Sequence, residues 1–67
     1  MKNKVKMLRE ARNLTQKELG EIVSVSRQAI NAIETGKYDP SIWLAYRLAQ
    51  YFGLAIEEVF QFEEDKR

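Results

Sequence analysis

An all-α domain built from five short helices is what this 67-residue sequence predicts. Three observations predict it. Apolar residues recur near the 3.6-residue helical period in successive segments. Residues suited to helix capping stand at the heads of those segments, and glycines stand at two of their ends. The chain holds one Pro and three Gly, and no stretch sustains the alternation of a β-strand.

Val5, Leu8 and Arg12, with Met7 and Ala11, form a stripe that predicts a first helix over 3–12. Asn13 and Leu14 break it. Thr15 lies three residues before Glu18, the spacing of a capping box, and starts a second helix over about 16–23. Its inward face is Leu19, Ile22 and Val23. Ser24–Val25 is a short connector. Ser26 then caps a third helix over 27–35, with Ile30 and Ile33 inward and Gly36 just past its end. Residues 36–40 form a loop in which Pro40 holds Asp39 extended. Ser41 caps a fourth helix over about 42–52, closed by Gly53. Leu44, Ala45, Leu48 and Phe52 are its core stripe, which leaves Trp43 and Tyr46 partly outside. A fifth helix runs from about Ile56 to Phe60, and the alternation Phe60-Gln61-Phe62 offers a short strand. The charged run Glu63–Arg67 is expected to fray. The whole is one domain, 1–67, with a core spanning about 5–60.

Composition removes whole classes of chemistry. The chain has no Cys and no His, so thiolate or imidazole metal sites, disulfides and a His general base are excluded. Ser24 and Ser26 therefore have no base to activate them, and Glu57–Glu58 and Glu63–Glu64–Asp65 read as solvated charge runs. No Gly-rich phosphate loop, EF-hand or zinc spacing occurs. The sequence points away from an enzyme, and to no cofactor, metal or small-molecule ligand. No apolar run approaches the roughly 20 residues of a membrane span, so a soluble, cytoplasmic protein is expected. The net charge of +1 hides an asymmetry. Residues 1–38 carry eight bases against four acids, whereas residues 39–67 carry three bases against six acids. A basic first half suits a polyanion on one side of the molecule.

The spacing of the second and third helices is the most informative feature. Two helices of eight or nine residues, joined by about three residues with apolar Val25 in the turn, describe a helix-turn-helix. A turn so short makes the helices cross steeply and projects one side of the third. With Ile30 and Ile33 facing in, Arg27, Gln28, Asn31, Ala32 and Thr35 face out. Arg pairs bidentately with guanine, and Gln or Asn with adenine.

The stretch Leu14-Thr-Gln-Lys-Glu-Leu, followed by Val25-Ser-Arg-Gln-Ala-Ile-Asn-Ala-Ile-Glu-Thr-Gly-Lys-Tyr-Asp-Pro-Ser, resembles the Cro/C1-type (xenobiotic-response-element) family of helix-turn-helix regulators. The likeness runs from about Val5 to Phe60 and includes Leu48-Ala-x-x-Phe-Gly-x-x-Ile56. In size the chain is similar to that family's small standalone dimeric repressors. The resemblance implies a lambda-repressor-like fold and a sequence-specific regulator of double-stranded DNA. It further implies a repressor that binds a palindromic operator as a homodimer.

By the same resemblance, Gln16 and Lys17 meet phosphate at the head of the second helix, where free N–H groups favour an anion. Ser26, Arg27, Gln28 and Asn31 belong to the DNA-reading stretch. Ala32 takes a place that is often polar in the family. Lys37 and Tyr38 lie against the sugar-phosphate backbone, and Arg9 and Glu34 form a structural ion pair between the first and third helices. A dimer also follows from need. One recognition helix reads few base pairs, and a chain this short buries only about 60% of its unfolded surface. Ile56, Val59, Phe60 and Phe62 are the candidate interface. The alternative is a helical protein-interaction or antitoxin-like module that retains the fold.

Overall fold

The computed structural model describes residues Met1–Phe62, so the run Glu63–Arg67 and the fraying expected of it lie outside the described residues. In chain order the helices are α1 (Val5–Ala11), α2 (Gln16–Val23), α3 (Arg27–Glu34), α4 (Ile42–Phe52) and α5 (Ile56–Val59). The two-residue strands β1 (Lys2–Asn3) and β2 (Phe60–Gln61) pair antiparallel, with Lys2 opposite Gln61 and Asn3 opposite Phe60. The strand foreseen at Phe60 therefore finds its partner in the N-terminal segment of the same chain.

Four of the five helices start as their caps dictate. The Thr15 hydroxyl accepts from the Glu18 N–H, while Glu18 accepts from the Thr15 N–H, closing the capping box. Ser26 and Ser41 accept from the N–H groups of Ala29 and Leu44. At α5, Glu58 reaches back to the Ala55 N–H at 2.7 Å. α1 starts differently. The Asn3 side-chain oxygen accepts from the Val5 N–H, and its amide nitrogen donates to the Ile33 carbonyl at the end of α3. Asn3 and Lys2 belong to β1, which is why the helix expected over 3–12 spans only Val5–Ala11.

Val5, Leu19, Val23, Ile30, Ile33, Leu44, Ala45, Leu48, Ala49, Phe52, Val59 and Phe60 form one buried cluster. Two inward faces differ from the sequence reading. On α1 the buried residues are Val5 and Arg9, whereas Met7, Ala11 and Arg12 are exposed. The rotation of α1 follows the partner that Arg9 finds in α3, which no apolar stripe reveals. On α2 Ile22 is 44% exposed and Gly20 is buried in its place. A Cβ at Gly20 would stand 2.6 Å from the Val25 carbonyl oxygen, so the bare glycine edge is what lets the turn fold back onto α2. The core stripe of α4 is as expected, with Ala49 added, and Trp43 and Tyr46 lie outside.

Ser24 ends α2 in the left-handed region, at φ 67° and ψ 40°, with its N–H on the Gly20 carbonyl. An L side chain is strained there, and glycine is not. Ser24→Gly is expected to raise stability by roughly 0.5–1 kcal/mol, the relief of strain outweighing glycine's larger unfolded-state entropy. Thermal unfolding checks this. A midpoint unchanged or lowered would show that the serine is at ease in the turn.

Candidate nucleic-acid interface

The face that could meet a polyanion is assembled from the α2–turn–α3 unit and the loop after it. Three contacts set the unit's shape: Gly20 against the turn, Val25 half-buried against the core, and the Val25 N–H on the Gly20 carbonyl at 2.8 Å. Ile30 and Ile33 anchor α3 from beneath. Arg27, Gln28, Asn31 and Thr35 are exposed along the opposite edge, and Ala29 and Ala32 are half-buried between the two. Ala32, expected outward, therefore offers at most a methyl edge.

Glu34, the acid of α3, is kept off that edge. Its side chain is 2% exposed and receives Arg9 in a fork, Nε to Oε2 at 2.6 Å and Nη2 to Oε1 at 3.1 Å. Arg9 Nη1 donates to the Leu14 carbonyl at 2.6 Å, so all three guanidinium nitrogens are held. The hydrogen bond to Glu34 raises the Arg9 guanidinium above its ordinary pKa, against the opposing effect of burial. Glu18 is likewise engaged in its capping box. Glu34 and Glu18 are thus engaged within the protein, while Glu21, Lys17 and Arg27 stand exposed.

At the head of α2 the Thr15 hydroxyl takes the third N–H of the first turn, leaving those of Gln16 and Lys17 without a partner inside the helix. The Gln16 side chain is not directed to solvent. Its Nε2 donates to Asn31 Oδ1 at 3.1 Å and to Glu34 Oε1 at 3.0 Å. Ser26 is exposed, with its oxygen accepting from Ala29 and its own proton free to donate. Gly36, at φ 77°, turns the chain out of α3, and the Lys37 N–H returns to the Ala32 carbonyl at 2.9 Å. Lys37 and Tyr38 then project from the loop, Tyr38 at 49% exposure. The loop's acid, Asp39, lies 3.4 Å from the N-terminal amine.

The charge asymmetry of the sequence overstated the basic surface. Arg9 is internal. Arg12 donates to the Phe52 carbonyl at 3.3 Å and stacks over the Phe52 ring at 4.9 Å, closing the end of α4. Arg47, from the acidic half, donates to the Val23 carbonyl at 3.3 Å at the end of α2. These two arginines, Asn3, Gly20 and the Gln16–Asn31 contact escaped the sequence reading. Gly20 alone carried a signal, since a glycine inside a helical pattern marks close backbone approach.

Of the four residues expected at a subunit interface, Val59 and Phe60 are each 1% exposed and complete the chain's own core. Ile56 is half-buried, and Phe62 is 57% exposed.

A short turn, a projecting third helix with a polar acid-free edge, and paired N-terminal amides define a helix-turn-helix of the DNA-binding kind. The chain belongs to the Cro/C1-type helix-turn-helix family, whose model matches residues 5–59. It is 53% identical over 66 residues to an HTH-type transcriptional regulator of Methanocaldococcus jannaschii, covering 98% of this chain and 100% of that protein. A second HTH-type transcriptional regulator, from Bacillus subtilis, is 48% identical, covering 97% of this chain and 98% of that protein. The HTH-type transcriptional activator BcrR of Enterococcus faecalis is 38% identical over 91% of this chain and 30% of its own length. The family is a non-enzymatic one of DNA-binding transcription regulators. Among the described residues, no helix is long and apolar enough to cross a membrane.

Proposed function

We propose that this chain is a sequence-specific repressor that binds a palindromic operator as a homodimer, reading bases with Arg27, Gln28 and Asn31. The observation that carries the reading is the exposed edge of α3, where these three side chains stand together while Glu34 is turned inward at 2% exposure. Phosphate contacts come from the Gln16 and Lys17 amides, the Ser26 hydroxyl, Lys37 and Tyr38. These position α3 in the major groove without reading sequence. The operator is found by selecting bound fragments from random duplexes. A promoter fusion carrying that operator then separates repression from the activation named for BcrR. Expression falling when the protein is supplied supports the reading, and expression rising overturns the repressor assignment.

A two-fold dimer presents two recognition helices to half-sites about 34 Å apart, so the selected operator is expected to be palindromic. Phe62 and the exposed part of Ile56 are the contact surface, because Val59 and Phe60 are committed to the core. Sedimentation equilibrium is expected to give a dimer at micromolar concentration. Phe62→Ala is expected to weaken it by about 1–2 kcal/mol and to weaken operator binding with it. A monomer that binds one half-site with undiminished affinity would end the dimer reading.

A further inference from the structure

We infer that Asn3, a residue outside the α2–turn–α3 unit, positions Lys37 and Tyr38 for the DNA backbone by holding a carbonyl at the end of α3. The inference rests on the phosphate contacts proposed above and adds a positioning residue to them.

The loop after α3 leaves through a Schellman turn. Gly36 takes φ 77°, its N–H returns to the Ile33 carbonyl at 3.1 Å, and the Lys37 N–H returns to the Ala32 carbonyl at 2.9 Å. Those bonds aim Lys37 and Tyr38. Residues Thr35–Asp39 are all exposed, so no buried side chain of theirs fixes the path. Helix ends of this kind fray. What holds this one comes from 30 residues away, where the Asn3 amide donates to the Ile33 carbonyl at 2.9 Å. It uses the second lone pair of the oxygen that already accepts from Gly36. The main chain before Asn3 lies on the same turn, with the Met1 carbonyl oxygen 3.7 Å from the place of a Gly36 Cβ.

Asn3 is itself firmly anchored. Its oxygen accepts from the Val5 N–H at 3.0 Å, and it stands opposite Phe60 in the β1–β2 pair. The N–H of the next residue, Lys4, reaches the Val59 carbonyl at 2.8 Å, and Val59 and Phe60 are buried in the core. The two partners also fix the orientation of the amide, since an N–H faces only its oxygen and a carbonyl only its nitrogen. The two ends of the amide thus have separate duties. The oxygen starts α1, and the nitrogen ties the end of α3 to the core. A tied loop presents Lys37 and Tyr38 already placed, so less freedom is lost when they meet phosphate. Asn3 acts through these residues and touches no DNA.

Asn3→Ser and Asn3→Thr each keep a short oxygen for the Val5 N–H, add no charge and lack the reach to Ile33. Both are placed in the full-length wild-type chain and in Lys37→Ala/Tyr38→Ala, and affinity for a random-sequence duplex is measured across salt. In the wild-type chain either replacement is expected to weaken binding about fivefold and to lower the salt slope by up to about one. In Lys37→Ala/Tyr38→Ala the same replacement is expected to change affinity by less than about twofold, which a general loss of fold does not produce. Amide hydrogen exchange reads the tie itself. Gly36 and Lys37 are expected to be protected in wild type and to exchange at least about tenfold faster in the Asn3 variants. Unchanged affinity and slope in variants of intact helix content, or an equal loss in both backgrounds, would overturn the inference. So would Gly36 and Lys37 amides that exchange in wild type as fast as in an open peptide. A wild type without salt-dependent duplex affinity would instead overturn the DNA-binding reading itself, and the inference with it.

Discussion

Replacing Glu34 by Ala is expected to lower stability by about 3–5 kcal/mol, the effect of leaving a buried charge without its partner. Arg9 is 8% exposed and is held by both Glu34 oxygens and the Leu14 carbonyl. Without that carboxylate, the buried guanidinium keeps only the Leu14 carbonyl and a loose approach to Glu10 Oε2 at 3.9 Å. Native stabilities of single domains are about 5–15 kcal/mol, and a domain of this size sits at the low end. The melting temperature is therefore expected to fall by at least about 12 °C. The geometry separates this pair from an exposed one, which would contribute roughly 0–1 kcal/mol. A melting temperature unchanged in Glu34→Ala would mean that Arg9 finds water in the native state. Its role in orienting α1 would then need another basis.

Replacing Gln28 by Ala is expected to weaken operator binding by about 1–3 kcal/mol while leaving random-duplex binding nearly intact. Gln28 is exposed on α3, and no other part of the described structure holds it. This separates it from Gln16 and Asn31, whose amides bond to each other. Lys37→Ala is expected to behave oppositely. It weakens operator and random duplex alike and lowers the salt slope by about one, as loss of a phosphate contact should. Equal losses on both duplexes for Gln28→Ala would show that its side chain reads no base.

What the sequence revealed and what it concealed divide along a physical line. Helix starts were legible because capping is local: Thr15, Ser26 and Ser41 each bond to an N–H three residues on. The spacing that marks the helix-turn-helix is local too, and so is the alternation around Gln61. Helix rotation was not legible wherever a distant partner sets it. Arg9 turns inward on α1 because Glu34, 25 residues away, receives it, and Met7 is left exposed. Ile22 loses its inward place to Gly20 because a turn carbonyl passes too close for any Cβ. Arg12 counts toward the stripe of α1 in sequence and Arg47 looks like surface charge, yet each donates to a carbonyl at the end of a helix, 40 and 24 residues away respectively. Of the site, the exposed edge of α3 was legible from period alone. The bond between Gln16 and Asn31 was not, since it needs the crossing of two helices.

On the proposed function, the edge of α3 discriminates among sequences rather than merely holding DNA. The most direct test is the affinity of the full-length protein for the selected operator and for a scrambled duplex of equal length, measured across salt concentration. Both affinities are expected to fall with salt along similar steep slopes, because the phosphate contacts are shared. The operator is expected to stay about a thousandfold or more ahead at each salt, since base contacts release no counterions. Operator and scrambled affinities that coincide at every salt, or little duplex affinity at any salt, would contradict the account.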